Sequence, residues 1–223
     1  MRSVLAFLLF ALPLGAQQPL TPFQEQKVRV LLKTQLPCLG CHELDGDGGK
    51  VGPSLGTVGT RRSAAYIRAM VEDPQRRVPG STMPRTLMSE STRELVIRFL
   101  ARNATGADVP AVVPPPPATA DGAALYARWC ASCHGAQGQG DGPNAKALPV
   151  PPAVHANAAA MRERPDDSLY DTIAGGGVVM GRSARMPAFG ATLSREEIRA
   201  LVAHIRSLCK CEGPAWARHG DGR

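Results

Sequence analysis

The chain has 223 residues, 26 Lys and Arg against 19 Asp and Glu, a net charge of +7, and only 4% aromatic residues beside 20 Pro and 23 Gly. The charges are interspersed, with no basic cluster carrying aromatics between its members, which argues against nucleic acid as a partner. With so little aromatic material, two units of ordinary small-domain size would need buried apolar volume from elsewhere, and a large flat cofactor would supply it.

In chain order, Met1 and Arg2 lead into an apolar run from Val4 to Leu14 and then Gly15-Ala16-Gln17. A basic start, a short apolar core and a small residue before a polar stretch read as a secretory signal over residues 1–16, with an uncleaved anchor as the alternative. The run is short for a membrane span, which wants about 20 apolar residues. Thr21 caps a predicted helix with Pro22 at its first position, carrying Phe23, Val28, Leu31 and Leu32. A short helix is expected from Ser63 to Asp73, stopped by Pro74. The next is expected from Ser91, with Glu94 completing a capping box, through Leu95, Val96, Phe99 and Leu100.

Residues 105–120 hold five prolines, four of them consecutive at 114–117, and read as a semi-rigid extended spacer. The expected divisions are therefore 17–104, a spacer over 105–120, 121–208 and a cysteine-containing tail over 209–223. After the spacer, Asp121 caps a helix with Leu125, Tyr126 and Trp129. A short helix over Asp166 to Ala174 stops at Gly175-Gly176-Gly177. A last one starts at a Ser194/Glu197 capping box and carries Ile198, Leu201, Val202, Ile205 and Leu208 on one face. No alternating strand pattern appears, so the expected class is all-α, as a divergent internal repeat of helix, loops, short helix, loop and helix.

Cys38-Leu39-Gly40-Cys41-His42 and Cys130-Ala131-Ser132-Cys133-His134 occupy equivalent places in the two repeats. Two thiols three apart can each form a thioether to a heme vinyl group, and the adjacent histidine then faces the iron; C-x-x-C-H is the pattern of c-type heme attachment. A zinc site would have to combine both cysteine pairs across the spacer and leave both histidines unexplained. A thioredoxin-like site would want a βαβ context that is missing. The expected cofactors are two covalently attached heme c groups. A low-spin iron also needs a distal ligand, usually Met or His. Met83, in Pro79-Gly80-Ser81-Thr82-Met83-Pro84, follows His42 by 41 residues, and Met186, in Ala184-Arg185-Met186-Pro187-Ala188-Phe189-Gly190, follows His134 by 52. Both are favoured, over Met70 and Met88 in one repeat and Met161 and Met180 in the other. His155 and His204 read as an ordinary loop and an ordinary helix histidine.

With these motifs the sequence resembles the class I cytochrome c family in both repeats, and the whole is similar to tandem diheme c-type cytochromes. The resemblance implies two tandem class I cytochrome c domains joined by the proline-rich spacer. It also implies thioether roles for Cys38, Cys41, Cys130 and Cys133, proximal ligation by His42 and His134, and distal ligation by Met83 and Met186. In that family a proline soon after the motif often lends a carbonyl to the proximal histidine; Gly52-Pro53 and Gly142-Pro143 occupy similar places. The His134-Gly135-x-x-Gly138-x-Gly140-x-Gly142-Pro143 run and the Met-Pro-x-Phe-Gly turn make the second repeat the closer match.

The function expected is single-electron shuttling between periplasmic or membrane-bound redox proteins, with no bond chemistry of its own. A heme peroxidase, a sulfur-compound dehydrogenase, or a permanently bound subunit of a respiratory or photosynthetic complex are the alternatives. Cys209 and Cys211 have no place in the family pattern. An i, i+2 pair is poorly arranged for an intrachain disulfide because the side chains point apart, so these are expected free or locally oxidised, with intermolecular pairing or metal binding helped by His219 as alternatives.

Overall fold

The computed structural model describes residues 19–108 and 121–217; the expected signal segment, residues 109–120 of the spacer, and His219 lie outside them. The chain runs α1 (Pro22–Thr34), a 3-10 turn (Pro37–Gly40), β1 (Glu43–Leu44), β2 (Asp47–Gly48), α2 (Val58–Arg61), α3 (Ala64–Glu72), α4 (Pro74–Arg77) and α5 (Glu90–Leu100). It continues through α6 (Gly122–Trp129), α7 (Ala131–His134), a 3-10 turn (Ala145–Ala147), α8 (Ala158–Arg162), α9 (Asp166–Val179), α10 (Arg195–Cys209) and a last 3-10 turn (Ala215–Ala217). The fold is essentially all-α. Among the described residues no helix is long and apolar enough to cross a membrane.

Helix starts follow local chemistry. The Thr21 hydroxyl accepts from the Gln24 N–H (3.2 Å) while the Gln24 side chain accepts from the Thr21 N–H (3.0 Å), a reciprocal cap that sequence reading had seen only in part. α10 begins the same way at Ser194 and Glu197. α5 differs from expectation. Its cap is Ser89, whose hydroxyl accepts from the Thr92 N–H (3.2 Å), so Ser91 lies inside the helix. Glu94 is then too far along to cap and pairs instead with Arg68 of α3 at 2.8 Å.

Burial separates into two apolar cores. One is built from Val28, Leu32, Leu36, Leu39, Leu44, Leu55, Ile67, Val71, Val96, Ile97, Phe99 and Leu100. The other gathers Leu125, Tyr126, Met161, Leu169, Ile173, Phe189, Leu193, the Ile198/Leu201/Val202/Ile205 face of α10, Cys209 and Cys211. In each, the opening helix packs on the closing one: α1 on α5, α6 on α10. The four apolar residues of α10 alone contribute on the order of 1.5–3 kcal/mol each through burial. Phe23, expected on the apolar face of α1, is instead 77% exposed, because the buried stripe runs through Val28 and Leu32.

Three local features depart from the sequence reading. β1 and β2 form a hairpin pairing Glu43 with Gly48 and Leu44 with Asp47. Asp45 and Gly46 both take positive φ (55° and 83°), the twist a two-residue hairpin turn requires, and strands this short leave no alternation to detect. α9 does not stop at Gly175. The helical path breaks at Gly176 (φ 75°) and resumes to Val179. A Cβ at Gly176 would come within 2.7 Å of the Ala188 amide, so glycine here lets the Met186-Pro187 loop lie against the helix.

The third is the tail. Cys209 and Cys211 are joined by a disulfide, against the expectation that their side chains point apart. The reason lies in the backbone between them. Lys210 takes the left-handed conformation (φ 49°, ψ 45°); its N–H bonds to the Ser207 carbonyl and that of Cys211 to the Arg206 carbonyl, both at 3.3 Å. That is a Schellman helix end, and it folds the chain back so that both sulfurs enter the second core.

Candidate heme-attachment sites

The two C-x-x-C-H segments fold alike. In the first, the Cys38 carbonyl accepts from the His42 N–H (3.0 Å) and the Cys41 N–H (3.3 Å); in the second, the Cys130 carbonyl accepts from His134 (2.9 Å) and Cys133 (3.1 Å). Each motif is thus one helical turn that carries both thiols and presents the histidine at its end. All four thiols are free. Burial pushes Cys38 up to about 11, and Cys41 and Cys130 up to about 12; a neighbouring thiol, Cys133, adds to the last two. Among the described residues, no three His, Cys, Asp or Glu side chains are grouped to hold a metal ion by themselves.

Both histidines are oriented from behind. His42 Nδ1 lies 2.7 Å from the Pro53 carbonyl and His134 Nδ1 2.9 Å from the Ala153 carbonyl. A carbonyl only accepts, so Nδ1 carries the proton and Nε2 is left as the lone-pair nitrogen, the tautomer a metal ligand requires. Burial lowers both pKa values, with the carbonyl bonds opposing. A Cβ at Gly52 would lie 2.5 Å from the His42 ring, so that glycine leaves room for the imidazole.

Pro53 is where the sequence placed it. Pro143 is not the partner of His134. The glycines before them are equivalent, Gly52 N–H bonding to the Cys41 carbonyl (2.8 Å) and Gly142 N–H to that of Cys133 (3.2 Å). After Gly142, however, the chain turns into the Ala145–Ala147 helical turn and returns only at Pro151-Pro152-Ala153, whose carbonyl meets His134.

Met83 is half-buried; its N–H donates to Ser81 Oγ (3.1 Å) and its carbonyl accepts from the Gln75 side chain. Met88 packs against the first core. Met186 is half-buried against the second core, its carbonyl accepting from the Gly177 N–H (3.0 Å) and its N–H donating to the Ser183 carbonyl (3.2 Å). Met161 is fully buried core, 1% exposed.

Several residues at these sites carried no sequence signal. His155 stacks on His134 with ring centres 4.1 Å apart and donates to or accepts from the Tyr126 hydroxyl at 2.9 Å. Burial brings its pKa down to about 3, so it is neutral at ordinary pH. Asn144, 1% exposed, reaches from the second motif to the first: its Nδ2 donates to the Gly40 carbonyl and its Oδ1 accepts from the Lys50 N–H at 2.8 Å. Arg185, beside Met186, pairs through Nη2 with both Asp47 oxygens at 3.0 and 2.9 Å. Arg128, two residues before Cys130, donates to the Gly80 and Ser81 carbonyls of the Met83 segment.

Residues 117–205 match the family model described as cytochrome C oxidase, cbb3-type, subunit III. That span holds Cys130, Cys133, His134 and Met186; Cys38, Cys41, His42 and Met83 lie outside it. A solved chain of a reducing HAO-like protein complex from Kuenenia stuttgartiensis is 24% identical, over 83% of this chain and 95% of that one, with a TM-score of 0.34. No curated relative matches. Over residues 117–205 the chain is thus similar to a c-type cytochrome of the redox, electron-transfer kind, and it carries a second C-x-x-C-H motif outside that span.

Proposed function

We propose that the protein is a diheme c-type cytochrome, built as two tandem class I domains, which passes single electrons between redox proteins of the periplasm or its membrane face. The observation that carries this reading is the matched pair of motif histidines. Each has Nδ1 tied to a backbone carbonyl and Nε2 left as a lone pair, with two free thiols one helical turn away. The residues fit a heme at each motif: Cys38, Cys41, Cys130 and Cys133 would form the thioethers, His42 and His134 would ligate the iron, and Met83 and Met186 would supply the distal sulfur. Two guanidinium nitrogens beside these residues, Arg128 Nε and Arg185 Nη1, are buried with no hydrogen-bond partner among the described residues, as donors awaiting carboxylates would be. The bound groups would supply one-electron iron chemistry; the protein holds the ligands, excludes water and sets the potentials.

Carriage rather than catalysis goes with Met83 and Met186 as distal donors, since both sulfurs in place would leave no open position for peroxide or a sulfur substrate. The experiment is a spectroelectrochemical titration of the purified protein with a pyridine hemochrome count. Two hemes per chain, each with the near-infrared methionine band, are expected. Loss of that band in both Met83→Ala and Met186→Ala tests the distal ligands, and rapid cyanide binding by the wild type would move the reading toward an enzyme.

The match to subunit III of a cbb3-type oxidase over residues 117–205 favours one second reading, a bound electron-transfer subunit of a respiratory complex. Co-purification with other redox subunits in mild detergent would support it; a soluble, electron-accepting monomer would count against it.

A further inference from the structure

The two attachment motifs touch, and they touch through a built socket. Asn144 is anchored in its own motif, its N–H donating to the Ser132 carbonyl at 2.9 Å, within Cys130-Ala131-Ser132-Cys133-His134. Its side-chain amide leaves that motif and enters the other. Nδ2 donates to the carbonyl of Gly40, between Cys38 and Cys41, and lies 3.7 Å from Cys133 Sγ, while Oδ1 accepts from the Lys50 N–H. The amide is used on both its ends and is 1% exposed.

Two glycines make the socket. A Cβ at Gly49 would collide with the Asn144 amide, and one at Gly40 would collide with the Arg185 carbonyl. Neither takes a positive φ. What each supplies is close approach, so the first motif is shaped to receive the second half of the chain. Around the socket the contacts continue. Arg185 reaches Asp47 on the hairpin, Arg128 reaches Gly80 and Ser81, and the Arg85 N–H donates to Thr192 Oγ1 at 2.9 Å. The polar bridges between the halves thus fall on the motif loops and on the segments flanking Met83 and Met186.

We infer that Asn144, seated in the Gly40/Gly49 socket, locks the two C-x-x-C-H motifs into one rigid unit, so that groups attached at the two motifs would be held in a fixed relation to one another. This rests on the diheme reading above. Asn144 is a positioning residue. Its amide suits the task because it donates to one backbone group and accepts from the next; aspartate would set a carboxylate oxygen against the Gly40 carbonyl.

The test uses the full holoprotein and two readouts. Two fixed, close chromophores give a split Soret circular-dichroism couplet, and the Lys50 amide reports the socket through hydrogen exchange. In Asn144→Ala we expect the couplet to collapse while two hemes remain bound, and Lys50 exchange to rise by about tenfold or more. Asn144→Ser, a milder change that keeps a hydroxyl, serves where the alanine variant does not fold, and should give an intermediate loss. An unchanged couplet and unchanged Lys50 protection, in either folded variant with both hemes bound, would overturn the lock. A wild-type chain that binds no heme but loses Lys50 protection on Asn144→Ala would instead overturn the diheme reading and leave the lock standing.

Discussion

The imidazoles of His134 and His155 lie face to face, ring centres 4.1 Å apart and planes 13° from parallel. Among the described residues no ring stacks on His42, whose own ring faces Gly52. The two sites, alike in their motifs, therefore differ in what lies against the motif histidine. His155 is itself fixed by the Tyr126 hydroxyl, which burial drives well above the ordinary tyrosine range.

His155→Ala should leave the buried Tyr126 hydroxyl unsatisfied and lower stability by about 1–3 kcal/mol, read as a drop in Tm. In the holoprotein only one of the two midpoint potentials should move, that of the site holding His134. His155→Phe, which keeps the stacking surface and loses the hydrogen bond, should retain most of that potential while still losing stability.

Gly52→Ala places a methyl against the His42 ring. The ring must tilt and lengthen its bond to the Pro53 carbonyl, at a cost of about 1–3 kcal/mol typical of overpacking. The expected outcome is a shift in one potential or loss of one heme, measured by hemochrome count and titration, with the His134 site unaffected.

Asp47→Asn removes the charge facing Arg185, which is only 7% exposed. The loss should be about 2 kcal/mol, less than the roughly 3–5 kcal/mol of a fully buried pair because Asp47 retains a third of its exposure. Denaturant unfolding measures it.

His204, on α10 against Tyr126, has its pKa lowered mainly by burial, with Asp121 opposing. Its unfolded form therefore takes up a proton before the folded form does. Its contribution is whole above about pH 6.5 and declines as pH falls toward the lower folded value. His204→Gln should flatten that part of the stability–pH curve, as followed by Tm between pH 7 and 4.

Cys209→Ser, alone or with Cys211→Ser, opens a ring spanning very few residues, so chain entropy predicts a loss of only about 1.5 kcal/mol. A thermal melt with and without reductant checks it: the wild type should lose stability on reduction and the double variant should not respond.

The helices were legible where local chemistry and periodicity agreed. Thr21-Pro22, Ser63 and the Ser194/Glu197 pair announce their starts, and the spacing of Ile198, Leu201, Val202 and Ile205 draws the buried face of α10. Ser91 misled because Ser89, two residues earlier, offers the same hydroxyl, and only the packing of Glu94 onto Arg68 decided between them. The Cys209–Cys211 disulfide was misjudged because side chains diverge at i, i+2 in regular structure. A left-handed Lys210 cancels that divergence, and lysine gives no warning of it.

Both C-x-x-C-H motifs, with their four thiols and two histidines, can be read from sequence alone because covalent spacing dictates them. Three peptide units of backbone set how far apart two thiols can stand, and the adjacent histidine follows. Partners that come from distant chain positions were decided only by tertiary structure. Ala153 instead of Pro143 behind His134 depends on the path of a long loop; His155 on His134 and Asn144 in the Gly40/Gly49 socket depend on how loops and halves pack. No local pattern encodes such contacts, because the free energy that selects them comes from burying surfaces that meet only once the chain has folded.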